Sequence, residues 1–382
     1  MEDLSGAPRP GRPSALTPVA LGEPEVRRGR SQRVHDFEDH IRKNGGQRLL
    51  IAIKGPPDPD SIASAWAQHM IAAELGMEST ILYFDSISHQ ENRALVKSLE
   101  IELIRYTEKV NVSGYRYYAL VDTQKPGMPI EPSLLEEMTL LTFVDHHKNT
   151  GEVEAEFVDI REDCGSTSAI FAEYLERGSV GLQPGNPMHS KLATALMHGI
   201  KTDTDNFFAA RQIDFRAASY LSQYADMDLL RVISTQSMSP KVMDILHRAL
   251  ENKEVRDNYI ISGVGFVRSE DRDGIANAAD YLIKREGIDT AIVFGIVDDQ
   301  LIDGSFRTRS QALDPDKFIK ELVGADQNGD WMGGGRLDKG GFRIPVGVFA
   351  NCADRELLWR ITEKTLKGML YKKIGYLTDD SN

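Results

Sequence analysis

Cysteine is scarce in this chain. Cys164 and Cys352, far apart in 382 residues, make neither a disulfide framework nor a Cys-x-x-Cys metal knuckle, so a reducing cytoplasm is the expected home. Long apolar runs are missing too: none approaches the roughly 18 to 20 residues that a membrane helix needs. The opening stretch holds Pro, Gly and Arg without the continuous apolar core of a secretory signal. Positive charge is also short, with 45 Lys and Arg against 58 Asp and Glu and a formal net charge of -13. Duplex binding is driven largely by Lys and Arg displacing counterions along many phosphates, so long duplex DNA is not an expected partner. A short anionic substrate needs only a few cations, or metal ions held by the excess carboxylates.

The length suits two domains, and 41% hydrophobic with 27% charged residues is the composition of a globular chain. Residues 1–33, rich in Pro and Gly and without aromatics, read as a disordered tail. From "QRLLIAIKG" onward, apolar runs such as "STILYFD", "YRYYALVDT" and "LLTFVDHH" alternate with helical segments such as "SIASAWAQHMIAAELG". That alternation predicts an α/β fold with a parallel sheet over residues 34–235. A polar linker helix is expected at 236–257, followed by a smaller α/β domain over 258–375.

Acidic residues stand where the apolar runs end. Asp58 and Asp60 follow "LLIAI", Asp122 ends "YYALV", Asp145, His146 and His147 end "LLTFV", and Asp203 and Asp205 follow "KLATALMHGI". Taken singly, each reads equally well as a helix cap or turn former, and Asp60 before Ser61 is a natural N-cap for "SIASAWAQHM". Together they point to a crevice outside the strand ends, where several carboxylates repel one another unless a cation lies among them. Oxygen ligands with an added imidazole suit Mn or Mg better than a closed zinc site. Two such ions about 4 Å apart can clamp an in-line displacement at phosphorus.

The run "VDHHKN" (144–149) resembles the signature of the DHH phosphoesterase superfamily, metal-dependent hydrolases that include RecJ-like and nanoRNase-like members. "PDPDSIAS", "VDT" and "GIKTDTDNF" follow that family's motif order, and "GSFRTRS" with "MGGGRLDKGGF" is similar to its C-terminal DHHA1 domain. The resemblance implies that Asp58, Asp60, Asp122, His146 and Asp203 ligate one or two Mn or Mg ions, with Asp122 bridging. It implies that Asp145 orients His146 and that His147 donates to the scissile phosphate. Gly333, Gly334 and Gly335 would let backbone N–H groups approach an anion, with Arg307 and Arg336 as anion contacts.

Two positions depart from the family pattern. Lys54 stands where the first motif usually has a metal-ligating histidine, and an ammonium has no lone pair to give a metal. Three readings follow: Lys54 replaces the first ion and takes a catalytic part beside Asp145 and His147; the first ion binds with more water; or hydrolysis is lost and binding remains. Arg336 stands where histidine usually follows the glycines. The expected substrates are short oligoribonucleotides, linear dinucleotides or nucleoside 3',5'-bisphosphates. A weakened nucleotide-binding protein and a polyphosphatase are the alternatives, and the oligomeric state, a homodimer included, is open.

Overall fold

The computed structural model describes residues 24–87, 89–123, 127–148, 153–235, 237–336 and 338–376. Residues 1–23 of the expected tail, Asn149 of "VDHHKN" and Leu337 after the glycine run lie outside them. The fold is α/β and divides into two compact units: residues up to 85 with 101–230, and 86–100 with 231 onward.

In the first unit the order is α1 (Pro24–Lys43), β1 (Arg48–Ile53), α2 (Pro59–Glu74), β2 (Glu78–Tyr83), β3 (Ile104–Arg105), β4 (Tyr117–Val121), α4 (Pro132–Glu136), β5 (Thr139–Asp145) and β6 (Phe157–Ile160). Helices α5 (Thr167–Arg177), α6 (Pro187–Asp203), α7 (Gln212–Leu221) and α8 (Met227–Ser234) follow, and the division between units falls inside α8. The strands pair in parallel in the order β3-β2-β1-β4-β5-β6. On one face Leu50, Ala52, Leu120 and Phe143 pack with Val112, Tyr115 and Met128 from the loops. On β1 the neighbouring Leu49, Ile51 and Ile53 are equally buried, so the strand reads as a continuous apolar run.

This topology positions the site. The chain moves outward from β1 through β2 to β3, then returns to the other side of β1 with β4, so the strand order reverses between β1 and β4. A crevice opens at such a switch point, outside the carboxyl ends of the strands. Register makes the placement specific: Ile53 pairs with Val121, and Val121 with Val144. The next residues, Lys54, Asp122 and Asp145, therefore leave three adjacent strands at one level.

Helix α1 starts at Pro24, inside the stretch expected to be a tail. Its buried residues Val34, Phe37 and Ile41 recur at helical spacing, and Arg33 reaches the fully buried Asp159 at 2.8 Å. Burial would raise the Asp159 carboxyl, but Arg161 and the Tyr174 hydroxyl hold it below the usual carboxylate range.

The second unit holds α3 (Gln90–Leu99), α9 (Pro240–Glu251), β7 (Glu254–Arg256), β8 (Tyr259–Val267), α10 (Asp273–Leu282), β9 (Thr290–Val297) and β10 (Leu301–Thr308). It continues with α11 (Pro315–Val323), β11 (Gly333–Arg336), β12 (Lys339–Pro345) and α12 (Arg355–Lys373). Its sheet runs β11-β12-β10-β9-β8-β7, with only β8 and β9 parallel among these pairs. The expected linker at 236–257 belongs to this unit: Ile245 and Ala249 of α9 lie in its core, and β7 pairs with β8.

The glycine run forms the edge strand β11, and packing explains its composition. A Cβ on Gly333 would come 2.6 Å from Ile319 Cγ2 and 2.8 Å from the Gly341 carbonyl, while one on Gly335 would come 2.7 Å from Pro315 Cβ. Helix α11 thus lies on the hairpin where side chains would stand. The backbone N–H of Gly335 donates to Asp316 Oδ1 at 3.2 Å, so this donor, expected for an anion, is engaged inside the unit. A Gly333→Ala substitution should destabilise the protein by about 1–3 kcal/mol through overpacking. Urea denaturation checks this, and an unchanged midpoint would remove the packing explanation.

Candidate metal centre

The Gly-Pro-Pro turn after β1, with Gly55 at φ +86°, leads directly into α2. Asp58 caps that helix: its Oδ1 accepts from the Ser61 N–H at 2.9 Å, and Ser61 Oγ accepts from the Asp58 N–H at 3.1 Å. The cap expected at Asp60 therefore falls on Asp58. Asp60 is 1% exposed and reaches a different helix, accepting from the Thr167 N–H through Oδ2 and the Ser168 N–H through Oδ1, both at 2.7 Å. These donors open α5, where unpaired amides and the helix dipole favour an anion.

The stretch "GSTSAIF" opens α5 with Ser166 as its cap. It supplies these two N–H groups, and the Thr167 hydroxyl donates to Asp122 Oδ1 at 3.2 Å. Asp214 braces the turn, accepting from the Gly165 and Arg211 N–H groups. The signal was Gly165 itself, since a Cβ there would lie 2.5 Å from Asp214 Oδ2. Gly199 has a similar part in α6: a Cβ would meet Ser168 Oγ at 2.3 Å and Asp60 Cα at 3.1 Å. Helix α6 can pass this close only without a side chain, and its last residue, Asp203, then reaches the same crevice.

Asp122 sits just beyond β4 at φ +52°, a left-handed conformation that aspartate tolerates better than most residues. Its N–H donates to the Val144 carbonyl at 3.0 Å, which fixes the turn. His146 is the hub. Its Nε2 lies 2.9 Å from Asp203 Oδ2, 3.4 Å from Asp122 Oδ1 and 4.0 Å from Asp60 Oδ2. The atom is buried and makes a well-formed hydrogen bond to none of them.

An imidazole nitrogen ringed by carboxylate oxygens fits a divalent ion of the Mn or Mg type. Two overlapping donor groups have ligand atoms within 4.8 Å of one another: Asp60, His146 and Asp203, and Asp122, His146 and His147. Asp58 is outside both groups.

The charges are strongly perturbed. Burial, then the neighbouring Asp122, push the Asp58 carboxyl up from 3.8 to about 6 and raise Asp60 well above its ordinary value. For His146, burial opposes the charged form, but Asp122 and Asp203 outweigh it and push the imidazole up to about 12. Several carboxylates around one site thus keep a proton where a metal would otherwise neutralise them.

Asp145 takes another part than expected. Its Oδ1 accepts from the His146 backbone N–H at 2.9 Å and lies 2.9 Å from His147 Nδ1, so the imidazole it orients is that of His147. The two rings lie against each other, with centroids 4.2 Å apart, and it is the His147 nitrogen that comes within reach of the Asp145 carboxylate. Lys54 is half-buried at the end of β1.

The sequence model of the DHH family, N-terminal domain, matches residues 48–200, which span β1 through most of α6. These residues form a DHH-family domain. An uncharacterized protein of Methanocaldococcus jannaschii is 34% identical over 330 residues, covering 86% of this chain and 64% of that protein. The cyclic-di-AMP phosphodiesterase PdeA of Listeria monocytogenes is 31% identical over 207 residues, covering 53% of this chain and 30% of that protein. This chain thus spans less than two thirds of either relative. In overall fold it is similar to an exopolyphosphatase-related protein of Bacteroides fragilis, with a TM-score of 0.61 at 13% identity over 90% of this chain and 97% of that one.

Against this DHH domain, the C-terminal candidates are differently placed. Arg307 forks onto Asp280, its Nη2 3.3 Å from Oδ2, and its Nη1 donates to Ser305 Oγ at 2.9 Å. An anion reaching Arg307 would compete with Asp280 for its guanidinium. Arg336 ends β11 on the exposed surface. Among the described residues, no helix is long and apolar enough to cross a membrane.

Metal uptake should release protons in a pH-dependent way. At pH 7.5 His146 is protonated without metal, so binding one Mn ion should release at least one proton, and the raised Asp58 and Asp60 carboxyls should make the release larger near pH 5. Calorimetry in two buffers of different ionisation enthalpy measures this, and a release near zero at both pH values would contradict the charge pattern.

Proposed function

We propose that this chain is a metal-dependent phosphoesterase of short nucleotides: linear dinucleotides, oligoribonucleotides of a few residues, or nucleoside 3',5'-bisphosphates. The observation that carries the reading is the buried His146 Nε2 facing Asp60, Asp122 and Asp203 at the switch point of a parallel sheet. The DHH-family match and the likeness to a cyclic-di-AMP phosphodiesterase support it. A cytoplasmic location belongs to the same reading, since both cysteines are free thiols.

Asp60, Asp122, His146 and Asp203 would hold Mn or Mg, with His147 a further donor beside Asp122. An ion held there supplies Lewis acidity toward a phosphoryl oxygen and lowers the pKa of a bound water. The chain's own residues do the rest. Thr167 and Ser168 fix the Asp60 carboxylate, so it does not swing when charge in the crevice changes. Asp145 Oδ1 lies 2.9 Å from His147 Nδ1, a contact that sets the ring's orientation toward the crevice. Lys54, level with Asp122 at the end of β1, adds a positive charge where an anionic substrate arrives.

A second reading, nucleotide binding without turnover, rests on Lys54 standing where a metal-ligating histidine is expected. A substrate panel with Mn, Mg or EDTA separates the two: a linear dinucleotide, a five-residue RNA, a nucleoside 3',5'-bisphosphate and polyphosphate. Mn-dependent turnover of one of the nucleotides, reduced at least about a hundredfold in Asp122→Ala, is the expected outcome. No turnover by folded protein would favour the binding reading, and turnover of polyphosphate alone would replace the substrate class. Lys54→His should change the metal requirement; a large rate gain would mark the native site as short of one ligand.

A further inference from the structure

Within the second unit, away from Arg307 along β10, the hairpin of β11 and β12 borders a cavity of about 490 Å³. Its size is ample for a mononucleotide, since small-molecule pockets span roughly 300–1,000 Å³. Its wall has two chemically different ends. At one, Arg272 and Arg343 share a single carboxylate, Asp303, at 2.5 and 3.5 Å. Asp273 also faces this carboxylate, so the cation open to an anion is the guanidinium of Arg343, which is half exposed and the more distant of the two from Asp303.

At the other end stand Asp326, Asp330 and Trp331. The indole is 58% exposed, an unusual state for the largest apolar side chain. The Lys320 ammonium lies over the ring, 5.6 Å from its centroid. The loop is held rigid from below: Asp326 Oδ1 accepts from the Asn328 and Asp330 N–H groups at 2.8 and 2.9 Å, and Ala325 bridges to Trp331. The Asp330 carboxylate is exposed.

We infer that this cavity is a guanine-nucleotide site that works without metal. A flat base would stack on Trp331, as bases do on exposed aromatic rings in single-strand binding proteins. A phosphate would meet the half-exposed guanidinium of Arg343. The acidic end selects the base. Guanine presents adjacent N1–H and N2–H donors, which a carboxylate accepts in a paired geometry. Adenine presents one amino donor beside the N1 lone pair, which a carboxylate repels. The inference does not depend on hydrolysis at the metal centre, because none of its residues lies in that unit.

The test uses the full chain in EDTA, titrated with GMP, AMP and CMP, following tryptophan fluorescence and calorimetry. GMP is expected to quench and bind, with AMP and CMP at least about tenfold weaker, the discrimination expected of one bidentate contact. Trp331→Phe should abolish the quench, and Asp330→Asn should weaken GMP about tenfold while leaving AMP unchanged. Both side chains are exposed, and circular dichroism confirms that the variants fold. Equal binding of GMP and AMP, absence of GMP binding by the native chain, or an unchanged quench in Trp331→Phe would overturn the inference. Loss of Mn-dependent hydrolysis would not touch it, so the two readings fail separately.

Discussion

Like charges forced together without water are the constraint around which the first unit is built. Asp60, Asp122 and Asp203 crowd one imidazole, with Asp58 close by, and burial reduces the solvent that would screen their repulsion. The surrounding structure is arranged to tolerate this. The switch in strand order opens the crevice, the N–H groups of α5 receive Asp60, and Gly199 lets α6 bring Asp203 close. Such a site is expensive to keep without a cation, which is the physical sense in which its geometry asks for one.

Several residues carry structural and chemical duties at once. Asp58 is the cap of α2 and also a member of the acidic group. Asp60 anchors one helix from the first turn of another. The glycines of β11 serve the approach of α11, and Arg307 is already paired with Asp280. In each case the structural duty is fully satisfied by contacts on this chain. A catalytic or binding duty therefore has to be argued from what remains: in the first unit the unmet His146 nitrogen, in the second the exposed indole.

Much of the first unit was legible because its strands are buried on both faces. "LLIAI", "YYALV" and "LLTFV" are unbroken apolar runs, and their acidic ends mark the crevice directly. The strand register that sets Lys54 beside Asp122 and Asp145 was not legible, since it depends on pairing across distant segments. Nor was the partner of Asp145, because the two imidazoles lie side by side past the strand end and spacing alone does not say which nitrogen meets the carboxylate. Charge masked helical periodicity in α1, where Val34, Phe37 and Ile41 make a narrow stripe, whereas α9 was expected as a helix and only the core stripe of Val242, Ile245 and Ala249 went unread. The glycine run was read for its backbone, whereas its packing against α11 shows only in three dimensions.

Residues 86–100, including α3, lie in sequence between β2 and β3 of the first unit yet cluster with the second. The polypeptide therefore passes between the units three times, at 85/86, 100/101 and 230/231. A single protease nick near residue 230 leaves them joined by two more covalent strands. The same threading limits how such a chain can be shuffled in evolution: the second unit cannot be exchanged as one cassette, because its helix α3 is encoded within the first. Genetic replacement would have to change both segments together, which binds the histories of the two units as firmly as the peptide bonds bind their chains.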